Sequence, residues 1–364
     1  MSKKICLTGV KPTGMPHLGN YIGAIKPAIE MANSGEYDSY YFIADYHSLI
    51  GVHDAKLLRN YIYEVAATWL AMGLDPKKVT LYKQSDVPEI LELNWIVNCF
   101  TSKGLMNRAH AYKAMVQANE EEQRDKDAGV NMGLFSYPVL MACDIMILNA
   151  DVVPVGADQL QHIEIARDIA HSFNSNYVPG YEKIRKNLDH EKNTKSLAEF
   201  IRTNDKTKDV AFLNPPKAIV AEGNKLLVGL DGRKMSKSYN NHIPLFSTEK
   251  ELQKLINRIT TDSSGPTEPK NPDDSLIFDF YQTFATKEQT EDLRARYLRG
   301  IGWGEAKADL LNVLNNTLKG PRDIYNELMA DTKKIDAILE EGAQRVRPKS
   351  RELIRNIKNT IGVN

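Results

Sequence analysis

Residues Lys3–Ala24 read KKICLTGVKPTGMPHLGNYIGA. The first eight form a short strand-like run, a Gly- and Pro-rich turn follows, and a helical pattern then continues from about Gly19 to Ala32. The same order recurs downstream. A second strand-like run, SYYFIADYH (Ser39–His47), precedes an amphipathic helix from about Ala55 to Met72, and VTLYKQSDV (Val79–Val87) supplies a third strand. Strands alternating with helices predict an α/β fold with a Rossmann-like, doubly wound parallel sheet.

The rest of the chain extends this core. SYPVLMACDIMILNA (Ser136–Ala150) reads as a strongly apolar helix with Pro138 in its first turn, and QLQHIEIARDIAHSF (Gln159–Phe173) as another helix. From Asn174 to about Lys225 the composition turns polar and lysine-rich, as in an elaborated surface segment. Beyond Glu249 the patterns are almost wholly helical, as in KELQKLINRIT and ADLLNVLNNTLKG. The domain change is placed near Leu245, giving a catalytic-type domain over 1–245 (with 174–225 as its elaboration) and an α-helical C-terminal domain over 246–364. No internal repeat or low-complexity tract is visible.

The chain has 364 residues, with 47 Lys plus Arg balancing 47 Asp plus Glu. Such neutrality excludes a non-specific polyanion binder, so any nucleic acid must be met locally. MSKKICLTGV lacks the apolar region and cleavage site of a signal peptide, and no window reaches transmembrane length. Cys6, Cys99 and Cys143 are far apart, without CxxC spacing, and are expected to be buried thiols of a cytoplasmic protein.

Gly9 and Gly14 have the spacing of a phosphate-binding P-loop, but Met15 and Pro16 stand where its lysine and hydroxyl should be. What survives is PHLGN, which puts His17, Gly19 and Asn20 around a helix start whose free N–H groups favour a phosphate. An ordinary strand-to-helix turn would use the same residues for geometry alone. A second candidate is LDGRKMSKSYN (Leu230–Asn240). Its Lys234 and Lys237, flanked by Gly232, Ser236 and Ser238, suit mobile ammonium groups closing on a triphosphate. A solvated basic turn is the competing reading.

The His-x-Gly-Asn turn and KMSKS, in this order, resemble the class I aminoacyl-tRNA synthetases. FSYPVLMACDIMILNADVVPVGADQLQHIEIARDIA (Phe135–Ala170), together with GNYIGA, closely resembles the tryptophanyl-tRNA synthetase family, and the similarity spans almost the whole chain. By chemistry alone, Asp144 is conspicuous as a carboxylate in an apolar helix, which is costly unless something donates to it. An indole N–H is a donor with no acceptor and would suit it, and Met141, one turn earlier, could pack on the ring. Read from the residues alone, Asp144 more readily caps or pairs with a neighbouring helix.

The resemblance implies more. His17, Asn20, Lys234 and Lys237 would be catalytic, and Lys237 and Lys234 would meet the β- and γ-phosphates of ATP. Tyr137 and Gln159 would hold the substrate α-amino group beside Asp144, Met141 and His47, although a lone His at position 47 could also be a bonded core residue. Gly156, Ala157 and Asp158 would line the ATP ribose. Asp158 also fits a capping box with Gln161. Lys11, Pro12 and Thr13 match the family's ATP turn, with Lys11 where glutamine is often seen. Gly19, Leu227, Met235, Ser236 and Ser238 complete the ATP set.

No metal cage is visible, so Mg2+ would arrive with ATP. The implied activity is a tryptophan–tRNA ligase that forms tryptophanyl-adenylate and then charges tRNA(Trp), acting as a homodimer and touching no membrane. The alternatives are a tyrosyl-tRNA synthetase and a non-catalytic, synthetase-like regulator that binds RNA or tryptophan. The C-terminal run AQRVRPKSRELIRNIKNT (Ala343–Thr360) is a candidate tRNA contact or simply the wet face of a terminal helix.

Overall fold

The computed structural model describes residues 3–156, 159–190, 201, 207, 210–220 and 227–363. Five parallel strands form its sheet: β1 (Ile5–Val10), β2 (Asp38–Ile43), β3 (Thr80–Lys83), β4 (Val152–Val155) and β5 (Lys217–Val220). Their order is β3-β2-β1-β4-β5. β1 and β2 run in register from Ile5↔Asp38 to Val10↔Ile43. Side chains alternate across the sheet, as a period of two requires. Tyr41, Ile43 and Leu81 enter one core cluster, while Leu7, Tyr40, Phe42 and Tyr82 enter the other.

The strand order reverses between β1 and β4, which is where open α/β sheets place ligands. Those two strands share a single register pair, Cys6↔Val152. Pro154 of β4 has no N–H to donate, and the ladder does not continue toward the carboxyl ends. β5 lies inside the stretch read from sequence as a polar elaboration, so part of that stretch belongs to the sheet.

The helices before the turn of the chain at Leu245 are α1 (Leu18–Asn20), α2 (Lys26–Asn33), α3 (Asp45–Ser48), α4 (Ala55–Ala71), α5 (Glu89–Asn98), α6 (Lys103–Met106), α7 (His110–Glu121), α8 (Met132–Met146), α9 (Leu160–Tyr177) and α10 (Tyr181–His190). A π-helical turn, Tyr21–Ile25, joins α1 to α2. After Leu245 come α11 (Glu249–Asn257), α12 (Leu276–Phe284), α13 (Lys287–Arg299), α14 (Trp303–Ala330) and α15 (Lys333–Ile361). Buried residues of α11 to α14 join the sheet face that carries Tyr41 and Ile43.

Three expectations are corrected. Pro138 is not in a first turn, because Asn131 caps α8 by accepting from Leu134 N at 2.8 Å and starts the helix six residues before the proline. Cys6 and Cys143 are buried, but Cys99 is exposed, since it is the C-cap of α5. His47 does not end a strand; the chain turns into the short helix α3 after Ile43.

The terminal helix α15 returns to the sheet. A Cβ on Gly342 would lie 1.8 Å from the Leu81 carbonyl oxygen, so only glycine lets the helix backbone reach the edge strand β3. Ile354 and Ile357 are buried there. Much of the basic run is engaged within the fold. Arg351 Nε donates to Glu89 Oε1 at 2.9 Å, Lys358 pairs with Glu92 at 3.0 Å, and Lys349 Nζ sits 4.8 Å from the Tyr40 ring centroid.

Candidate functional site

The end of β1 leads into the Lys11–Thr13 turn and then into His17, the N-cap of α1. His17 Nδ1 accepts from Asn20 N at 3.2 Å, and Asn20 Oδ1 accepts from His17 N at 3.1 Å, a reciprocal capping box. His17 is 8% exposed. Burial first, then the nearby His242 and Lys237, pull its imidazole down to about 4, so at neutral pH it is uncharged and Nδ1 can accept. A Cβ on Gly19 would stand 3.1 Å from His17 Nδ1 and 3.3 Å from Met235 Sδ, so glycine lets both pack on the helix start. The N–H groups there are not free, contrary to the expectation from sequence: Leu18 N, Gly19 N and Asn20 N all have partners within the chain.

The KMSKS segment lies directly against this start. Leu18 N donates to Ile243 O and Leu245 N to Pro16 O, each at 2.9 Å. Gly19 N donates to Met235 Sδ at 3.4 Å, and Lys237 Nζ donates to Thr13 O at 2.9 Å. Met235 and Leu227 are buried in the core, whereas Lys234, Lys237 and Ser238 are exposed and Ser236 is half-buried. Burial lowers the Lys237 and Lys11 ammonium groups from their ordinary range. Met235 thus anchors the loop and leaves its cations at the surface.

The loop has an organiser that the sequence did not reveal. Asn241 Oδ1 accepts from Ser236 N at 2.9 Å, while its Nδ2 donates to Asp231 Oδ1 at 2.7 Å and to Lys234 O at 3.1 Å. Leu230 N closes the base of the loop on Asn241 O at 2.9 Å. Asn241 is only 3% exposed. Hydrogen bonds from Asn241, then Arg233, hold the Asp231 carboxyl down at about 2.

A second cluster surrounds Asp144 on α8, which is fully buried at 0% exposure. His47 Nε2 lies 3.0 Å from Asp144 Oδ2. Gln84 Nε2 donates to Asp144 Oδ1 at 2.8 Å and to Oδ2 at 3.0 Å. Burial pushes the Asp144 carboxyl up, opposed first by the His47 bond and then by that from Gln84. Pairing of Asp144 with a neighbouring element is therefore realised, and His47 is its bonded partner. Gln84 was missed because a glutamine after a strand carries no signal until tertiary structure sets its neighbour.

Around this cluster, the His47 and Tyr137 rings meet edge-on with centroids 6.3 Å apart, and Tyr137 Oη is 2.5 Å from His162 Nε2. Met141 is half-buried beside them on α8. Ser48 of α3 donates to Pro12 O at 3.0 Å, tying the Asp144 cluster to the Lys11–Thr13 turn. Gln159 N donates to the exposed Gly156's carbonyl at 2.9 Å, at the entry to α9. Ala157 and Asp158 lie outside the described residues. Gln161's side-chain amide accepts from His110 N at 2.9 Å and donates to Arg108 O at 3.1 Å, and its capping-box pairing falls on Asp158, outside the described residues.

A parallel sheet whose switch-point crevice is bracketed by a His-x-Gly-Asn helix start and a KMSKS loop defines a class I aminoacyl-tRNA synthetase. The sequence pattern of the tRNA synthetases class I (W and Y) matches residues 2–319. A tryptophan–tRNA ligase of Neisseria meningitidis is 47% identical over 364 residues, covering 100% of this chain and 99% of the relative. One from Pseudomonas putida is 46% identical over 357 residues, covering 98% of this chain and 73% of the relative. Among solved structures, the tryptophanyl-tRNA synthetase of Campylobacter jejuni complexed with ADP and tryptophan superposes with a TM-score of 0.81 at 36% identity, covering 98% of this chain and 99% of that one. The chain belongs to the tryptophanyl-tRNA synthetase family.

Proposed function

We infer that the chain is a tryptophan–tRNA ligase, and the observation that carries this reading is the closure of the KMSKS segment on the His17–Asn20 helix start at the sheet's switch point. In the first step a tryptophan carboxylate oxygen attacks the α-phosphorus of ATP; the bond to the bridging oxygen breaks and pyrophosphate leaves with the electron pair. The chain supplies no nucleophile. Lys234 and Lys237 stabilise charge that builds on the leaving phosphates, and the neutral His17 and Asn20 orient the nucleotide. Lys11 to Thr13, Gly156 to Asp158, Leu227 and Ser236 to Ser238 form the rest of the ATP site. In the second step the terminal ribose hydroxyl of tRNA(Trp) attacks the acyl carbon, and AMP leaves.

Asp144 accepts the indole N–H, with Met141 against the ring, His47 beside the carboxylate, and Tyr137 and Gln159 at the α-amino group. Among the described residues, no group of three or more His, Cys, Asp and Glu side chains could hold a metal ion. Mg2+ would come with ATP, held by the phosphates and water. Residues 246–364 form the module that meets the anticodon. Leu91 and Trp95, one turn apart on α5 and 43% and 74% exposed, offer a second copy an apolar stripe for a homodimer. Among the described residues no helix is long and apolar enough to cross a membrane, and the substrates place the reaction in the cytoplasm.

Amino-acid-dependent exchange of pyrophosphate into ATP tests the reading. Exchange that requires tryptophan and ignores tyrosine is expected. Exchange driven by tyrosine would assign the tyrosyl reading, and none with either amino acid would assign the non-catalytic one.

A further inference from the structure

Gln84 opens the 3-10 turn Gln84–Asp86 directly after β3 and is fully buried at 0% exposure. Its surroundings orient its amide. Tyr46 N–H can only donate, and it meets Gln84 Oε1 at 3.1 Å. Nε2 is thereby turned to both oxygens of Asp144, and an ionised carboxylate can only accept. The flanking backbone is held as well, because Asp45 Oδ1 accepts from both Tyr46 N and Ser85 N at 3.0 Å. A single short helix, α3, thus supplies the donor that orients Gln84 and, through His47, a second partner for Asp144.

We propose that Gln84 is a positioning residue that sets tryptophan selection by holding Asp144 as a pure acceptor, an assignment that rests on Asp144 accepting the substrate's indole N–H. A carboxylate has about four acceptor positions. Gln84 and His47 occupy three in the contacts above, which leaves one for an indole donor. Gln84 Nε2 meets both carboxylate oxygens, which lie too close together for its two N–H bonds to take one each, so a single N–H is shared between them and fixes the carboxylate's orientation. An indole N–H has no acceptor to satisfy. A tyrosine hydroxyl does, and burying it there leaves a lone pair without a partner, which disfavours it. The amide therefore acts through the carboxylate, holding it in place as the acceptor that the indole satisfies and the hydroxyl does not.

Two variants separate positioning from folding. Gln84→Met removes both hydrogen-bonding ends at similar volume. Gln84→Glu keeps an acceptor for Tyr46 N and replaces the donor facing Asp144 with a carboxylate oxygen. In pyrophosphate exchange, both should raise the KM for tryptophan, by about 10- to 100-fold for the loss of a bond to a charged group. Gln84→Glu should have the larger effect, the KM for ATP should stay at the parent value, and the ratio of tryptophan to tyrosine kcat/KM should fall. Combined with Asp144→Asn, Gln84→Met should add less than its separate effect, because the two residues act through one interaction. If Asp144→Asn loses tryptophan selection while both Gln84 variants keep the parent KM and ratio, the Gln84 assignment is overturned and the pocket stands. If Asp144→Asn itself keeps parental selection, the pocket reading fails and the proposal with it. Equal losses toward ATP and tryptophan, or failure of both Gln84 variants to fold, would make Gln84 a folding residue and likewise overturn it.

Discussion

Lys237 Nζ donates to the carbonyl of Thr13 at 2.9 Å, joining residues 224 apart in sequence. One is the second lysine of KMSKS; the other belongs to the turn that leaves β1. The contact sets a cation beside the turn that leaves the sheet's switch point. A backbone carbonyl is a weaker partner than a polyphosphate, so the lysine is held near its work without being committed to it.

Lys237→Ala should slow adenylate formation on the order of 100-fold or more, the effect of losing one preorganised transition-state donor. The KM for tryptophan should stay near the parent value. Single-turnover activation at the parent rate would remove Lys237 from the chemistry.

Asn241→Ala should act on the same step from behind the loop. Three side-chain bonds, to Ser236 N, Asp231 Oδ1 and Lys234 O, are lost together. Adenylate formation should fall about 10-fold or more, while melting moves little, because the loss frees a surface loop rather than the core. Asn241→Asp keeps the acceptor for Ser236 N but sets a second carboxylate against Asp231 Oδ1, so it should be slowed at least as much. Adenylate formation at the parent rate in Asn241→Ala would show that these bonds do not matter.

The buried His17 predicts an acid limb in stability. Its folded value is about 4, below the ordinary 6.5 of the unfolded chain. Between these values the unfolded chain takes up a proton that the folded one refuses. Stability contributed by this group is therefore complete above 6.5, falls as the pH drops toward 4 and changes no further below that. The contribution is about 3 kcal/mol at most, reduced by solvent screening. His17→Asn keeps a good N-cap without a titrating group. Urea midpoints of the two proteins should converge as the pH falls from 6.5 to 4, and parallel pH curves would exclude His17 as the source.

Gly342→Ala should destabilise the protein by about 1–3 kcal/mol, the usual result of forcing atoms into a packed contact. The added methyl would overlap the Leu81 carbonyl, so α15 must lift from β3. A urea midpoint equal to the parent's would mean that the helix can shift without cost.

Much of the architecture was legible because strands and helices of an α/β fold write different periods into the chain. β1, β2, β3, α4 and α9 lie close to where their patterns put them. The KMSKS loop and PHLGN turn were legible for another reason: each fixes particular residue types at a fixed local spacing. β5 was not, since KAIV is short and its surroundings are polar. The start of α8 was not, since Pro138 resembled a first-turn proline while the decisive cap, Asn131, lies in a polar stretch with little periodicity.

What the sequence determined by itself was therefore the class of fold, the two motifs and the singular carboxylate of Asp144, all properties of neighbours along the chain. Tertiary structure alone decided the partners. Gln84 meets Asp144 across 60 residues, Met235 meets Gly19 across 216, and Gly342 meets Leu81 because α15 packs back onto the sheet. A hydrogen bond depends on where two groups stand in space, and distance along the chain carries no record of that until the sheet and its helices have closed.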